Sequence, residues 1–391
     1  MKFINSTLLI FCISVLISCA EEPDIKLLNV KNTLTIERSF ETVELSAEFL
    51  QVQDLSSIGI REFKSGKLQV TQLVDNNSDG TYDELLFQPI LGASSEKDYE
   101  IVQINKKEQP STEVICYARF VPERTDDYAW ENDKVAFRTF GPIAQKMKED
   151  NIKGGTLTSG IDAWLKKVDY PIINKWYKED LSGKGSYHKD TGEGLDNFHV
   201  GASRGVGGIA AKVNNNYYFS KNFTEWKTIT TGPIRTSFVL KYANWEAGGN
   251  IVEESKMISL DLGNNLSKFS INLHGISTIS AGLTLHEKDG VVTGNKEKGW
   301  VSYWQPHEDS ELGSGIVAST NTFLGYEKYD TDEKDLSNAY AALKLIDNKV
   351  VYYAGFGWKE SGVFKNQQDW ENYLSLFSDK INNPLILKLI E

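Results

Sequence analysis

The feature that most narrows what this chain can fold into is alternation. From Ile25 to Phe120, and again beyond Gly208, apolar and polar residues take turns in short runs separated by Gly, Asn and Asp. Lys67-Leu68-Gln69-Val70-Thr71-Gln72-Leu73-Val74 is one such run, and a period of two sends successive side chains to opposite faces, as a half-buried strand requires. Asn215-Asn216 and Ala247-Gly248-Gly249-Asn250 supply hairpin turns, which makes antiparallel pairing the economical arrangement. The pattern predicts a mainly β protein, an antiparallel β-sandwich with few helices. Helical character is confined to Ile161–Glu179, broken at Pro171, and to an amphipathic closing segment at Asp369–Phe377. The expected divisions are a leader at 1–18, a tether at 19–30, an N-terminal β module at 31–121 and a larger β domain at 122–391.

Lys2 precedes an apolar run from Phe3 to Ile17 that is too short for a stable membrane span and fits a secretion leader. Leu16-Ile17-Ser18-Cys19 has the form of a lipobox, so Cys19 is expected to carry lipid and to begin the mature chain. This places the protein in the cell envelope, in the periplasm or on the outer-membrane surface, touching membrane through its anchor alone. Removal of residues 1–18 deletes one charge, Lys2, and takes the formal net charge from −12 to −13, which argues against nucleic acid as a partner. An anionic substrate would therefore need a local basic pocket. With Cys19 lipidated, Cys116 has no partner, so stability must come from the core.

Two loops stand out from the strands. Asp75-Asn-Asn77-Ser-Asp79-Gly-Thr-Tyr-Asp83 places three carboxylates and one amide around a glycine turn, a spacing suited to a structural calcium ion. Leu86 stands where an EF-hand has its bidentate Glu, and the same residues would equally serve a hairpin in which Asp and Asn bond their own backbone. The second loop, Ser186 to Gly208, gathers Tyr187, His188, Glu193, Asp196, His199 and Arg204 among six glycines. Imidazole, carboxylate and guanidinium are the groups that move protons and hold anions, and glycine lets backbone approach a ligand. This loop is the expected active site.

The succession WENDKVAFRTFGP, YHKDTGEGLDNFHVG, TGPIRTSFVLKY, ISLDLGNNLSKF, GWVSYWQP and YYAGFGWKESG resembles a family of lipoproteins encoded in polysaccharide-utilisation loci of Gram-negative bacteria, over nearly all of the mature chain. One type in that family looks like an oligosaccharide dehydratase that acts on the non-reducing-end glucuronate of ulvan fragments and leaves an unsaturated uronate. TGPIRTSF and ISLDLG also resemble strands of the galactose-mutarotase type of supersandwich. The resemblance implies a carbohydrate-active lyase with an acidic oligosaccharide as its substrate.

Elimination from a uronate removes the C5 hydrogen and expels the C4 hydroxyl, so the substrate carboxylate must be neutralised while a base and an acid act. His188 and His199 are the candidates for proton transfer, with Tyr187 as a further acid or base and Arg204 as a catalytic cation. Arg138, Arg204 and Arg235 can each grip a carboxylate bidentately. Trp130 and Trp304 offer stacking faces, His307 could bond a hydroxyl, and Glu193 and Asp196 could bind sugar or serve as the carboxylate pair of a hydrolase. The chemistry requires no cofactor. A glycoside hydrolase and a non-catalytic carbohydrate-binding lipoprotein are the alternative functions.

Overall fold

In the strand Asn250–Asp261, every second residue, Val252, Glu254, Lys256, Ile258 and Leu260, is buried. Flanking strands continue the pattern and build a nine-stranded antiparallel sheet in the computed structural model, which describes residues 26–105 and 107–390. The leader, Cys19 and the first residues of the tether lie outside those described. Across the sheet the order is Phe223–Thr230, Arg235–Tyr242, Asn250–Asp261, Leu266–His274, Lys349–Trp358, Ser310–Ala318, Trp300–His307 and Val291–Asn295, with Trp245–Ala247 paired at one side.

Two five-stranded sheets cover the inner face. One runs Gly194–Leu195, Asp162–Lys166, Ala136–Thr139, Asp127–Glu131, Tyr117–Val121, and the other Asn216–Tyr218, Val206–Val213, Thr278–Thr284, Asn338–Lys344, Phe323–Tyr329. Their apolar side chains merge with Phe238, Ile258, Phe269 and Phe356 of the large sheet into one core. Among the described residues every pair of strands is antiparallel, and the architecture is the β-sandwich expected from alternation. The outer face of the large sheet takes the helix Gln367–Asn382, capped by Asn366, with Trp370 against Gly313 and both Trp370 and Leu374 against Gly315.

The chain departs from expectation in four places. Residues 27–30, assigned to a tether, belong to the strand Leu27–Lys31, which the final strand Ile386–Ile390 extends, so the N-terminal module also receives the chain's end. Ile161–Glu179 is not one helix: Asp162–Lys166 is a strand paired with Ala136–Thr139, and the helix Ile173–Leu181 starts only after Pro171, its first N–H groups accepted by the Glu131 carboxylate. The helix Pro142–Glu149 had no strong sequence signal, because its N-terminal N–H groups are capped from a distance by Asp126. The first hairpin turns at Asn214-Asn215, with φ of 50° and 64°, one residue before the expected pair, whereas Gly248-Gly249 turns as expected. Among the described residues no helix is long and apolar enough to cross a membrane.

Gly205 joins the central loop to the strand Val206–Val213. Its φ is 56°, and a Cβ there would collide with the Ile161 carbonyl, to which the loop is bridged. Gly205→Ala is expected to cost about 2–4 kcal/mol, from left-handed strain plus the collision. Urea unfolding checks this, and unchanged stability would contradict the packing described.

Candidate functional site

The site begins with a charge that a strand cannot easily bury. Ala136–Thr139 is buried at every position; Phe137 points into the core, stacked on Trp130 at 5.3 Å, so Arg138 points to the opposite face. Register brings Asp162 directly opposite Arg138, and Asp127 lies two residues from Ala129, which is Arg138's partner on the other side. Arg138 Nε and Nη2 donate to Asp162 Oδ2 at 3.0 and 2.6 Å, Nη2 also donates to Asp196 Oδ2 at 2.9 Å, and Asp127 Oδ2 lies 3.6 Å from Nη1. Its guanidinium lies 5.1 Å from the Trp164 ring and 5.7 Å from that of Tyr187.

One cation therefore holds three buried carboxylates. Burial pushes Asp127 up to about 6, against the pull of Arg138 and Arg124. Asp162 and Asp196 move in the same direction, each raised first by burial, and Asp162 next by its neighbour Asp196. Asp162 Oδ1 and Asp127 Oδ1 accept no hydrogen bond from any described residue, which leaves a position for a carboxyl proton on each.

A cleft of about 550 Å³ opens over this web, lined in part by Arg124, Arg138, Lys148, Asp162, His188, Asp196, His199, Lys334 and Asp335. His188 and His199 are exposed in it. His188 Nδ1 lies 2.6 Å from the Asp196 carbonyl oxygen, which can only accept, so Nδ1 carries the proton and the neutral ring presents the Nε2 lone pair. His199 Nε2 meets Asp335 Oδ1 at 3.1 Å and keeps Nδ1 for a second proton. Two further imidazoles hold the loop from below: His286 Nε2 donates to the His199 carbonyl at 2.9 Å, and His307 Nε2 meets Asn197 Oδ1 at 2.9 Å. Burial lowers the pKa of both, His307 to about 4, and so keeps them neutral.

Of the expected residues, His188, His199, Arg138 and Asp196 meet in this cleft, with His307 behind it. The others lie elsewhere, each for a physical reason. Tyr187 is buried, stacked on Trp164 at 5.0 Å, and its hydroxyl accepts from Arg124 Nε at 3.1 Å, so it supports the cleft from behind. Arg204 is fully buried under Phe219 at 4.0 Å; its nitrogens donate to Ser159, Thr158 and the carbonyls of Ala202 and Ile209, and burial lowers its pKa to about 10. It is a structural cation beneath the loop.

Arg235 pairs with Asp261 at 2.6 and 2.8 Å and with Glu44 at 2.6 Å, on the outer face of the large sheet. Trp130 fills core and donates to Ser267, while Trp304 packs beneath the C-terminal helix. Glu193, turned from Asp196 by the strand Gly194–Leu195, accepts from Lys175, Trp176 and Tyr170. In the Asp75–Asp83 loop, Asp75 accepts from Ser78 and Gly80 N–H, Asn77 from Asp79, Asp79 from Thr81 and Asp83 from Asn76. Among the described residues no three His, Cys, Asp or Glu side chains group as a metal site. Cys116 is buried, its thiol donating to the Ile234 carbonyl.

Arg124, Asp127, Asp162, Lys148, Lys334 and Asp335 are the cleft's contributors that sequence reasoning did not find. Arg124 sits in Arg-Thr-Asp-Asp, where Thr125 and Asp126 both have left-handed φ, 41° and 54°, unusual for such residues and held by Asp126 capping the neighbouring helix. That run of four polar residues just before a buried strand was the available signal.

The fold and cleft define an antiparallel β-sandwich with an opening to which Arg124, Lys148 and Lys334 contribute, over a buried arginine–aspartate web. The chain belongs to the DUF4861 family, a domain of unknown function, which it matches over residues 30–386. Uncharacterized protein P7 of Formosa agariphila is 53% identical over 373 residues, covering 94% of each chain. Among solved structures, an alpha-mannosidase from Enterococcus faecalis V583 is similar with a TM-score of 0.54 at 11% identity, over 95% of this chain and 46% of the other. A glycosyl hydrolase family 38 protein from Enterococcus faecalis is similar with a TM-score of 0.53 at 11% identity, over 95% and 48%. This chain spans about half the length of both, and the likeness is one of fold.

The three carboxyls hold more protons folded than unfolded, so their contribution to stability is greatest below pH 4 and is lost as pH rises through about 6 to 7. In Asp127→Asn the decline in stability between pH 4 and 7 should shrink by up to about 3 kcal/mol. Urea unfolding across that range measures it, and an unaltered slope would contradict the web's assignment.

Proposed function

We propose that this protein is an oligosaccharide dehydratase that eliminates water from the terminal uronate of an acidic oligosaccharide such as an ulvan fragment. The observation that carries the reading is the cleft itself. On a chain of net charge −12, Arg124, Lys148 and Lys334 line one opening together with two exposed imidazoles. Arg138 is committed to its carboxylates, so the uronate carboxylate pairs with Arg124 and the lysines. There they offset the charge that builds on it as the C5 proton leaves.

His188 Nε2 takes the C5 proton, the C5–H electron pair becomes the C4–C5 double bond, and the C4–O bond breaks. The hydroxyl departs as water with a proton from His199 Nδ1, while Asp335 holds the other ring nitrogen. Tyr187 and Asp196 act through others, Tyr187 by fixing Arg124 and Asp196 by fixing the His188 tautomer. A lipid on Cys19 would hold the enzyme in the cell envelope. The hydrolase alternative would draw on Asp162 and Asp196, yet both are engaged by the same guanidinium nitrogen.

Incubation of the protein with uronate-terminated oligosaccharides should produce ultraviolet absorbance of a conjugated enoate and loss of one water without chain cleavage. His188→Ala should lower kcat about 10²–10⁴-fold, and Arg124→Ala should lower kcat as well as raise KM, because Arg124 meets charge that grows in the transition state. Cleavage into two sugars without absorbance would replace this reading with a hydrolase, and binding without chemical change would leave a carbohydrate-binding protein.

A further inference from the structure

We propose a second, non-catalytic carbohydrate site, a groove for a neutral pyranose chain on the outer face of the nine-stranded sheet. Ser237, Ser259, Lys268 and Tyr353 stand opposite one another in register, forming a row across four strands on the face turned away from the core. Two cavities of about 230 and 340 Å³ open over this row and share Glu44, Arg235, Ser259 and Lys268, so they form one groove. Small-ligand pockets commonly fall between roughly 300 and 1,000 Å³. The N-terminal module roofs the groove, and the C-terminal helix closes one end. The His188 cleft lies across the core, beyond the sheet that covers the inner face.

The lining fits a sugar. A pyranose has apolar C–H faces and a rim of hydroxyls, and it is held by aromatic walls and short polar side chains. Tyr353 and Phe377 pack edge to face at 4.9 Å on the inner wall, and Phe40 stands at the mouth, 45% exposed. Serine hydroxyls and the Lys268 ammonium supply the polar floor. The charges of the lining nearly cancel, which favours a neutral ligand: Arg235 is occupied by Asp261 and Glu44, Glu41 is paired with Arg38, and Glu84 at one edge is offset by Lys268 and Lys380.

Phe40 is held in an unusual conformation to face this groove. Its φ is 53°, a left-handed value that costs a bulky residue strain; Asn264 Nδ2 donates to its carbonyl at 3.0 Å, and its ring lies where a side chain on Gly263 would be. Such strain collects at ligand clamps and other functional positions.

Titration calorimetry of the full chain with cellotetraose and xylotetraose tests the site, with circular dichroism to confirm that variants fold. At least one probe should bind with a Kd on the order of millimolar. Affinity should fall about tenfold or more in Phe40→Ala or Lys268→Ala and stay unchanged in His188→Ala. If neither probe binds, if both groove variants bind as the parent does, or if His188→Ala abolishes binding, the groove is not a carbohydrate site. The outcome is independent of the elimination chemistry, which those groove variants should leave intact.

Discussion

Burying a guanidinium is costly unless hydrogen-bond partners meet it, and at Arg138 those partners are carboxylates, from which most of the candidate site follows. Its strand is wholly buried, so desolvation would be prohibitive without compensation. Strand register supplies Asp162 and Asp127, and the long glycine-rich loop must come down far enough to supply Asp196. That descent places the Asp196 carbonyl against His188 Nδ1 and so sets which nitrogen of the imidazole faces the cleft. Removing Arg138 would strand carboxylates at a cost of about 3–5 kcal/mol and release the loop as well.

The same web separates the charges engaged within the fold from those that face the cleft. Arg138, Arg204 and Arg235 are each engaged by partners in the fold, while Arg124, Lys148 and Lys334 face the opening. In the proposed reaction these three charges attract an anionic substrate locally without making the whole surface basic. The histidines divide in the same way: His286 and His307 are neutral anchors of the loop, and His188 and His199 are exposed above them.

Alternation made the sandwich legible, because a period of two survives in sequence whatever the topology. The Ser186–Gly208 segment stood out too, since its histidines and carboxylates do not alternate with apolar residues as in a strand, although Gly194, Gly207 and Gly208 prove to lie in strands. What could not be read is which face of a strand a polar residue occupies and what lies opposite it. Asp162 was hidden inside an apparent helix, IDAWLKKVDYPIINKWYKE, whose first half is a strand because sheet pairing outweighs local helical character. Arg204 looked like an anion receptor, but its Nη groups are taken by the hydroxyls of Ser159 and Thr158, 45 and 46 residues away, and by backbone carbonyls, with the face of Phe219 over its guanidinium. Trp130 likewise gave no sign that Phe238, more than a hundred residues later, would enclose it.

The most direct measurement on the central claim follows a deuterium atom placed at C5 of the terminal uronate, by mass spectrometry of the product. If His188 removes that hydrogen as the C4 hydroxyl departs, every unsaturated product molecule will have lost the label, and turnover will be slower than with ordinary substrate. A product that keeps deuterium at C5 would contradict elimination at this site, whatever else the cleft binds.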